Sequence, residues 1–152
     1  MKKVLFTLLS VAVLAACASK GSPMSQLDTK IPTVQELQHH QYELVSVNGK
    51  PFEAEKGSGK PTIAFGQDMF ISGQMCNRYS GKVDLTERGM LRAKAGIAMT
   101  RMLCTDPVLN SLDADISELL GNGAEVEISN NGQYLRLTNP STVLEFKLAD
   151  KM

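Results

Sequence analysis

Glu125-Val-Glu-Ile-Ser129, Tyr134-Leu-Arg-Leu-Thr138 and Val143-Leu-Glu-Phe-Lys-Leu148 alternate apolar and polar side chains, and Asn130-Asn131-Gly132 and Asn139-Pro140 separate them. Period-two alternation sorts side chains onto the two faces of a strand. Connections this short leave no room for a crossover helix, so the three segments read as an antiparallel meander.

Upstream, the 3.6-residue period is clear only over Asp106–Gly121, where Val108, Leu109, Leu112, Ile116, Leu119 and Leu120 fall on one face. Asp106 is placed to cap this helix, Pro107 occupies a first-turn position whose missing N–H costs nothing, and Gly121 provides the expected left-handed exit. Earlier still, Asn77–Leu85 and Met90–Lys94 flank Thr86-Glu-Arg-Gly89, and Thr62–Phe65 and Met69–Ser72 flank Gly66-Gln-Asp68. Both read as hairpins. Residues 50–60 are rich in Lys, Gly, Pro and Glu and read as a loop, preceded by a first strand at about 40–47 that ends in the turn signal Asn48-Gly49. Thr33-Val-Gln-Glu36 has the capping-box spacing and opens a short helix over about 34–38. The expected fold class is α+β: about seven or eight antiparallel strands, one main helix at about 106–120 and a short N-terminal helix. A helix packed on a curved sheet or open barrel accommodates them.

The chain has 152 residues, with 16 Lys+Arg and 16 Asp+Glu, which fits one domain and leaves no basic footprint for nucleic acid. Met1-Lys-Lys3 followed by the apolar run Val4–Ala16 has the form of a signal peptide, too short to span a bilayer. Leu14-Ala-Ala-Cys17 then resembles a bacterial lipobox, in which the Cys17 thiol takes a diacylglyceryl group and becomes a fatty-acylated N-terminus after cleavage. Several acyl chains, at about 0.8 kcal/mol per buried CH₂, hold a protein on a membrane where one does not. Ala18 follows where Asp is associated with inner-membrane retention, so the outer membrane is expected, with the domain facing the periplasm. Residues 1–16 thus form the signal peptide, residues 17–33 an acylated flexible tether without periodicity, and residues 34–152 the folded domain. Losing Lys2 and Lys3 leaves 14 of the 16 basic residues against all 16 acidic ones, so no polybasic patch assists the lipid.

Export exposes Cys76 and Cys104 to an oxidising compartment, and two cysteines allow one pairing. Closing that loop of about 29 residues is worth roughly 3–4 kcal/mol on the chain-entropy account. A soft copper site using these sulfurs with Met75, Met99 and Met102 is the rival, but no methionine array surrounds them. His39 and His40 are adjacent on a strand start, point to opposite faces and do not converge on an ion. No nucleophile motif, phosphate loop or cofactor fingerprint is present, and Asp113, Asp115 and Glu118 fall on the polar side of the helix. The expectation is no catalytic residue, no metal and no cofactor. With Cys76 joined to Cys104, Asn77, Arg78 and Arg101 come together as a candidate polar surface, which either binds a ligand or holds loops in place.

Ser46-Val-Asn-Gly-Lys-Pro51, Ile71-Ser-Gly73, Cys76-Asn-Arg78, Ser80-Gly81 and Ala98-Met-Thr-Arg-Met102 with Cys104 resemble the motifs of the META domain family, over residues 33–150. Two departures are Tyr42, where many members have Trp, and Met75, where a Gly precedes the Cys. The resemblance implies an antiparallel sheet curved into a half-barrel with helical cover, an outer-membrane lipoprotein, induction by heat and an association with novobiocin resistance. It implies no catalytic residue. Two functions are then expected in turn: a non-enzymatic envelope-stress protein, monomeric, acting through lipid or other envelope proteins, or a binding module whose concave face takes a small hydrophobic ligand or antibiotic. An enzyme is the third reading, and would depend on Arg78, Arg101 or His40.

Overall fold

The structure is a computed structural model that describes residues 22–55 and 59–150. The signal peptide, Cys17 and the start of the tether lie outside the described residues.

The chain forms β1 (Thr29–Lys30), α1 (Val34–Leu37), β2 (His40–Val47), β3 (Lys50–Pro51), β4 (Thr62–Phe65), β5 (Phe70–Gln74), β6 (Arg78–Leu85), β7 (Met90–Ala93), β8 (Ala98–Met99), α2 (Pro107–Asn122), β9 (Ala124–Ser129), β10 (Tyr134–Thr138) and β11 (Val143–Leu148). The capping box of α1 is realised: Glu36 N–H donates to Thr33 Oγ1 at 3.3 Å and Thr33 N–H to Glu36 Oε2 at 2.9 Å. After β2, Asn48 and Gly49 take φ of +49° and +77°, the paired positive angles of a tight hairpin turn.

Two meanders result, β2-β4-β5-β6-β7 before α2 and β9-β10-β11 after it. Each alone would expose two unpaired edges, a standing liability for a sheet. Both pairs of edges are used. β11 pairs antiparallel with β2, and β7 pairs antiparallel with β9 through Met90↔Glu125 and Leu91↔Ala124. The eight longer strands therefore close into a barrel, and the half-barrel expectation is corrected. The physical reason is α2, a 16-residue connection that returns the chain to the free edge of β7.

The interior is packed. Inward residues including Tyr42, Ile63, Phe65, Ile71, Leu137 and Phe146 form one core with Leu109, Leu112, Ile116, Leu119 and Leu120 of α2. Each such helix side chain contributes about 1.5–3 kcal/mol of transfer free energy before ordering costs. The concave apolar face required by the small-ligand reading is thereby filled. Val108, expected on the buried face of α2, is 49% exposed.

The start of α2 is as expected: Asp106 Oδ1 accepts from Val108 N–H at 2.8 Å, with Pro107 in the first turn. Its end is not. Gly121 is inside the helix, and the positive-φ exit falls on Gly123 at +103°, after Asn122. Part of the expected tether is also structured, since Met24 is buried and Thr29–Lys30 pairs with Ser129 and Ile128 of β9. No hydrophobic alternation announces this strand, because backbone pairing rather than a buried face supplies it.

Candidate functional site

Cys76 closes the turn between β5 and β6, and Cys104 stands just ahead of α2. Their sulfurs form a disulfide with a Cα–Cα separation of 5.9 Å. Both being oxidised, neither is a thiolate available to a soft metal.

Beside the disulfide, Asn77 is 6% exposed and uses both ends of its amide. Nδ2 donates to Met102 O at 2.9 Å and to Asp113 Oδ2 at 2.7 Å, while Oδ1 accepts from Thr100 Oγ1 at 2.8 Å and Met102 N–H at 2.6 Å. Asp113 Oδ1 in turn accepts the backbone N–H groups of Cys76 at 3.1 Å and Asn77 at 2.9 Å. One step on, Arg78 N–H donates to Thr100 Oγ1 at 3.1 Å and Thr100 N–H to Arg78 O at 3.0 Å. Asn110 completes the frame by accepting Cys104 N–H at 3.2 Å and donating to Cys104 O at 2.8 Å.

The segments around Cys76 and Cys104 are thus joined by a covalent bond and a hydrogen-bond network. Asn77 belongs to that scaffold and not to the surface. Asp113, expected as a solvated helix residue, is its second centre. The signal that could have found it is the disulfide itself, which draws Asn77 to the first turns of the helix beginning three residues after Cys104.

Arg78 and Arg101 are exposed, and among the described residues neither guanidinium has a hydrogen-bond or ion-pair partner. They do not share a pocket. Arg78 lines a groove with Ser72, Gly73, Ser80 and Ala98, whereas Arg101 lines another with Ile97, Asn110, Asp113 and Ser117; Met99 and Thr100 border both. At the crest of the stapled loop, Met102 is 70% and Leu103 93% exposed. The result is two cations flanking an apolar tip on a backbone that cannot easily move.

Two neighbouring features are structural. Tyr79 is buried, its hydroxyl donates to Thr62 O at 2.9 Å, and loss of solvation pushes its phenol pKa strongly upward. His40 Nδ1 lies 3.1 Å from Asp150 Oδ2, where Ala149 N–H donates to Gln41 O, so this pair ties the end of the chain to β2.

The Escherichia coli (strain K12) "Heat shock protein HslJ" is 45% identical to this chain over 152 residues, covering 100% of this chain and 99% of that protein. A protein structure solved by NMR shares 49% identity with a TM-score of 0.70, covering 78% of this chain and 97% of the other. A second NMR structure, of a protein from Burkholderia xenovorans, is 18% identical with a TM-score of 0.61, over 99% of this chain and all of that one, and shows the fold alone. Residues 1–18 match a prokaryotic membrane lipoprotein lipid attachment site, so the chain is anchored to a membrane of the cell envelope by lipid. Residues 35–151, the span that holds all eight barrel strands, the disulfide and the Asn77 frame, match the META domain profile, and the chain belongs to the META domain family.

Proposed function

We propose that this protein is a non-enzymatic envelope lipoprotein of the heat-shock response, acylated on Cys17, held on the outer membrane and working through contact with another envelope component. Its relative's name as a heat shock protein and the lipid attachment site support the setting. The observation that carries a contact role is the stapled loop. Arg78 and Arg101 are unpaired among the described residues while the backbone under them is fixed by Asn77, Asp113 and the disulfide. Arg and Met are over-represented where proteins meet, and a rigid display lowers the ordering cost of binding. Novobiocin resistance and envelope integrity are the cellular consequences this reading expects. The test is deletion followed by challenge with several unrelated large hydrophobic drugs. General sensitisation supports a barrier role; sensitisation to one drug alone transfers the case to specific binding of that drug.

A further inference from the structure

We propose that residues 22–30 are a strap that fixes the orientation of the barrel, holding its β10–β11–β2 wall toward the membrane that carries the anchor. The proposal rests on the reading of Cys17 as the acylated residue.

The outer face of this wall carries a row of polar side chains in cross-strand register, Glu127↔Arg136 and Arg136↔Glu145, with Glu145↔Ser46 continuing onto β2. Arg136 Nη1 donates to Glu127 Oε2 at 3.1 Å, and its Nε and Nη2 donate to Glu145 Oε1 at 3.1 and 3.0 Å. Charges on the outside of a barrel are ordinarily wet. Here Glu145 is 1% and Ser46 0% exposed.

The N-terminal segment reaches this row twice. Ser22 Oγ donates to Glu145 Oε1, and Thr29 Oγ1 donates to Glu127 Oε1 at 3.1 Å. Between them Met24 is 2% exposed, so the segment is packed down at its middle as well as bonded at its two ends. Asn130 N–H donates to Asp28 O at 3.0 Å, and β1 adds to the β9 ladder. Arg136 and Ser22 satisfy Glu145 Oε1, whereas Glu145 Oε2 and Ser46 Oγ are buried without a hydrogen-bond partner among the described residues. Burying a carboxylate is costly, so the Ser22 contact belongs to what holds this row in place.

Its consequence is geometric. A chain free as far as Thr33 would let the domain stray from Cys17 by about 55 Å at full extension, whereas five residues from Cys17 to a docked Ser22 span at most about 18 Å. The acyl chains must enter the bilayer close to β11. Around the closed barrel, β6 is four strands from β11 in either direction. Arg78 begins β6, so its wall faces away from the lipid, and the stapled loop is presented to whatever lies beyond the membrane surface.

The chain contains no Trp, which allows single-Trp reporters. Lys147, exposed on β11 and outside every ion pair among the described residues, marks the strap wall, and Met102 marks the stapled loop. Full-length acylated Lys147→Trp and Met102→Trp proteins are inserted into phosphatidylethanolamine–phosphatidylglycerol vesicles containing a headgroup-nitroxide lipid. The Lys147→Trp emission should be quenched several-fold more than that of Met102→Trp. Adding Ser22→Ala with Met24→Ser, which leaves the barrel residues untouched, should bring the two toward equality while circular dichroism stays that of the folded barrel. Equal quenching in proteins whose mass proves acylation overturns the strap, as does a bias that survives the strap substitutions. A mass without acyl chains overturns the anchor reading and the proposal with it.

Discussion

Asn77 Nδ2 and Asp113 Oδ2 stand 2.7 Å apart across 36 residues of sequence, and this bond joins the β5–β6 turn to the polar side of α2. Asn77→Ala removes both ends of a buried amide and strands Met102 N–H and Asp113 Oδ2, while Asp113 Oδ1 keeps the backbone N–H groups of Cys76 and Asn77. Leaving such groups without partners should cost about 2–3 kcal/mol in urea unfolding. Asp113→Asn keeps the shape but replaces one acceptor with an NH2 group that faces an N–H donor, so it should cost a comparable amount. Because the pair is in direct contact, the double variant should be less destabilised than the sum of the two, with a coupling of about 0.5–3 kcal/mol.

The same network predicts how the protein responds to reductant. Opening the Cys76–Cys104 loop should lower stability by roughly 3 kcal/mol on the chain-entropy account. Asn77, Thr100 and Asn110 still hold the two segments, so the reduced protein should keep its barrel circular dichroism and unfold at a lower urea midpoint. Adding Asn77→Ala under reducing conditions should remove the residual order of residues 100–104, read as faster amide exchange there.

Much of this was legible beforehand, for identifiable reasons. The helix at 107–122 announces itself through six apolar positions at helical spacing, and the late strands through alternation. Both are local signals. Barrel closure depends on β7 meeting β9 through only two residue pairs brought together by α2, and no local pattern encodes that encounter. Gly121 competed with Gly123 for the helix exit because either could adopt the required φ, and Asn122 was free to extend the helix. At the site, two cysteines in an oxidising compartment fixed which segments meet. What Asn77 and Asp113 do there depends on burial, which their polar side chains do not advertise.

Gly73 should tolerate no side chain. A Cβ there would stand 2.5 Å from Tyr79 Oη and closer still to Thr62 O, the two partners of a buried hydrogen bond. Gly73→Ala must displace Tyr79 or open the β4–β5 ladder. A loss of about 2–4 kcal/mol is expected by denaturant titration, whereas Gly121→Ala, with open space around it, should be neutral or slightly stabilising.

Glu36 connects α1 to the end of the strap. Its bond to Lys30 and the Thr33 N–H lower its pKa from 4.5 to about 2. A folded pKa below the unfolded one means that Glu36 stabilises the protein above pH 4.5 and that this contribution disappears as pH falls toward 2. The ion pair is well solvated, which limits the effect to a fraction of about 1 kcal/mol. Glu36→Gln keeps the reach-back of the capping box and removes the titration, so its stability curve should be flatter than wild type between pH 4.5 and 2.

Arg78, Arg101 and Leu103 should show the reverse of the behaviour of Asn77. Their side chains are exposed and, among the described residues, the two guanidinium groups bond to nothing, so Arg78→Ala, Arg101→Ala and Leu103→Ser together should leave the urea midpoint nearly unchanged. If the stapled loop is the working surface, the triple variant should fail to restore drug tolerance to a deletion strain while accumulating in the envelope at the wild-type level. Asn77→Ala should fail too, but with reduced abundance, because it disturbs the frame that presents these side chains. Full restoration by the triple variant would remove the loop from the mechanism and direct attention to the strap wall and the lipid.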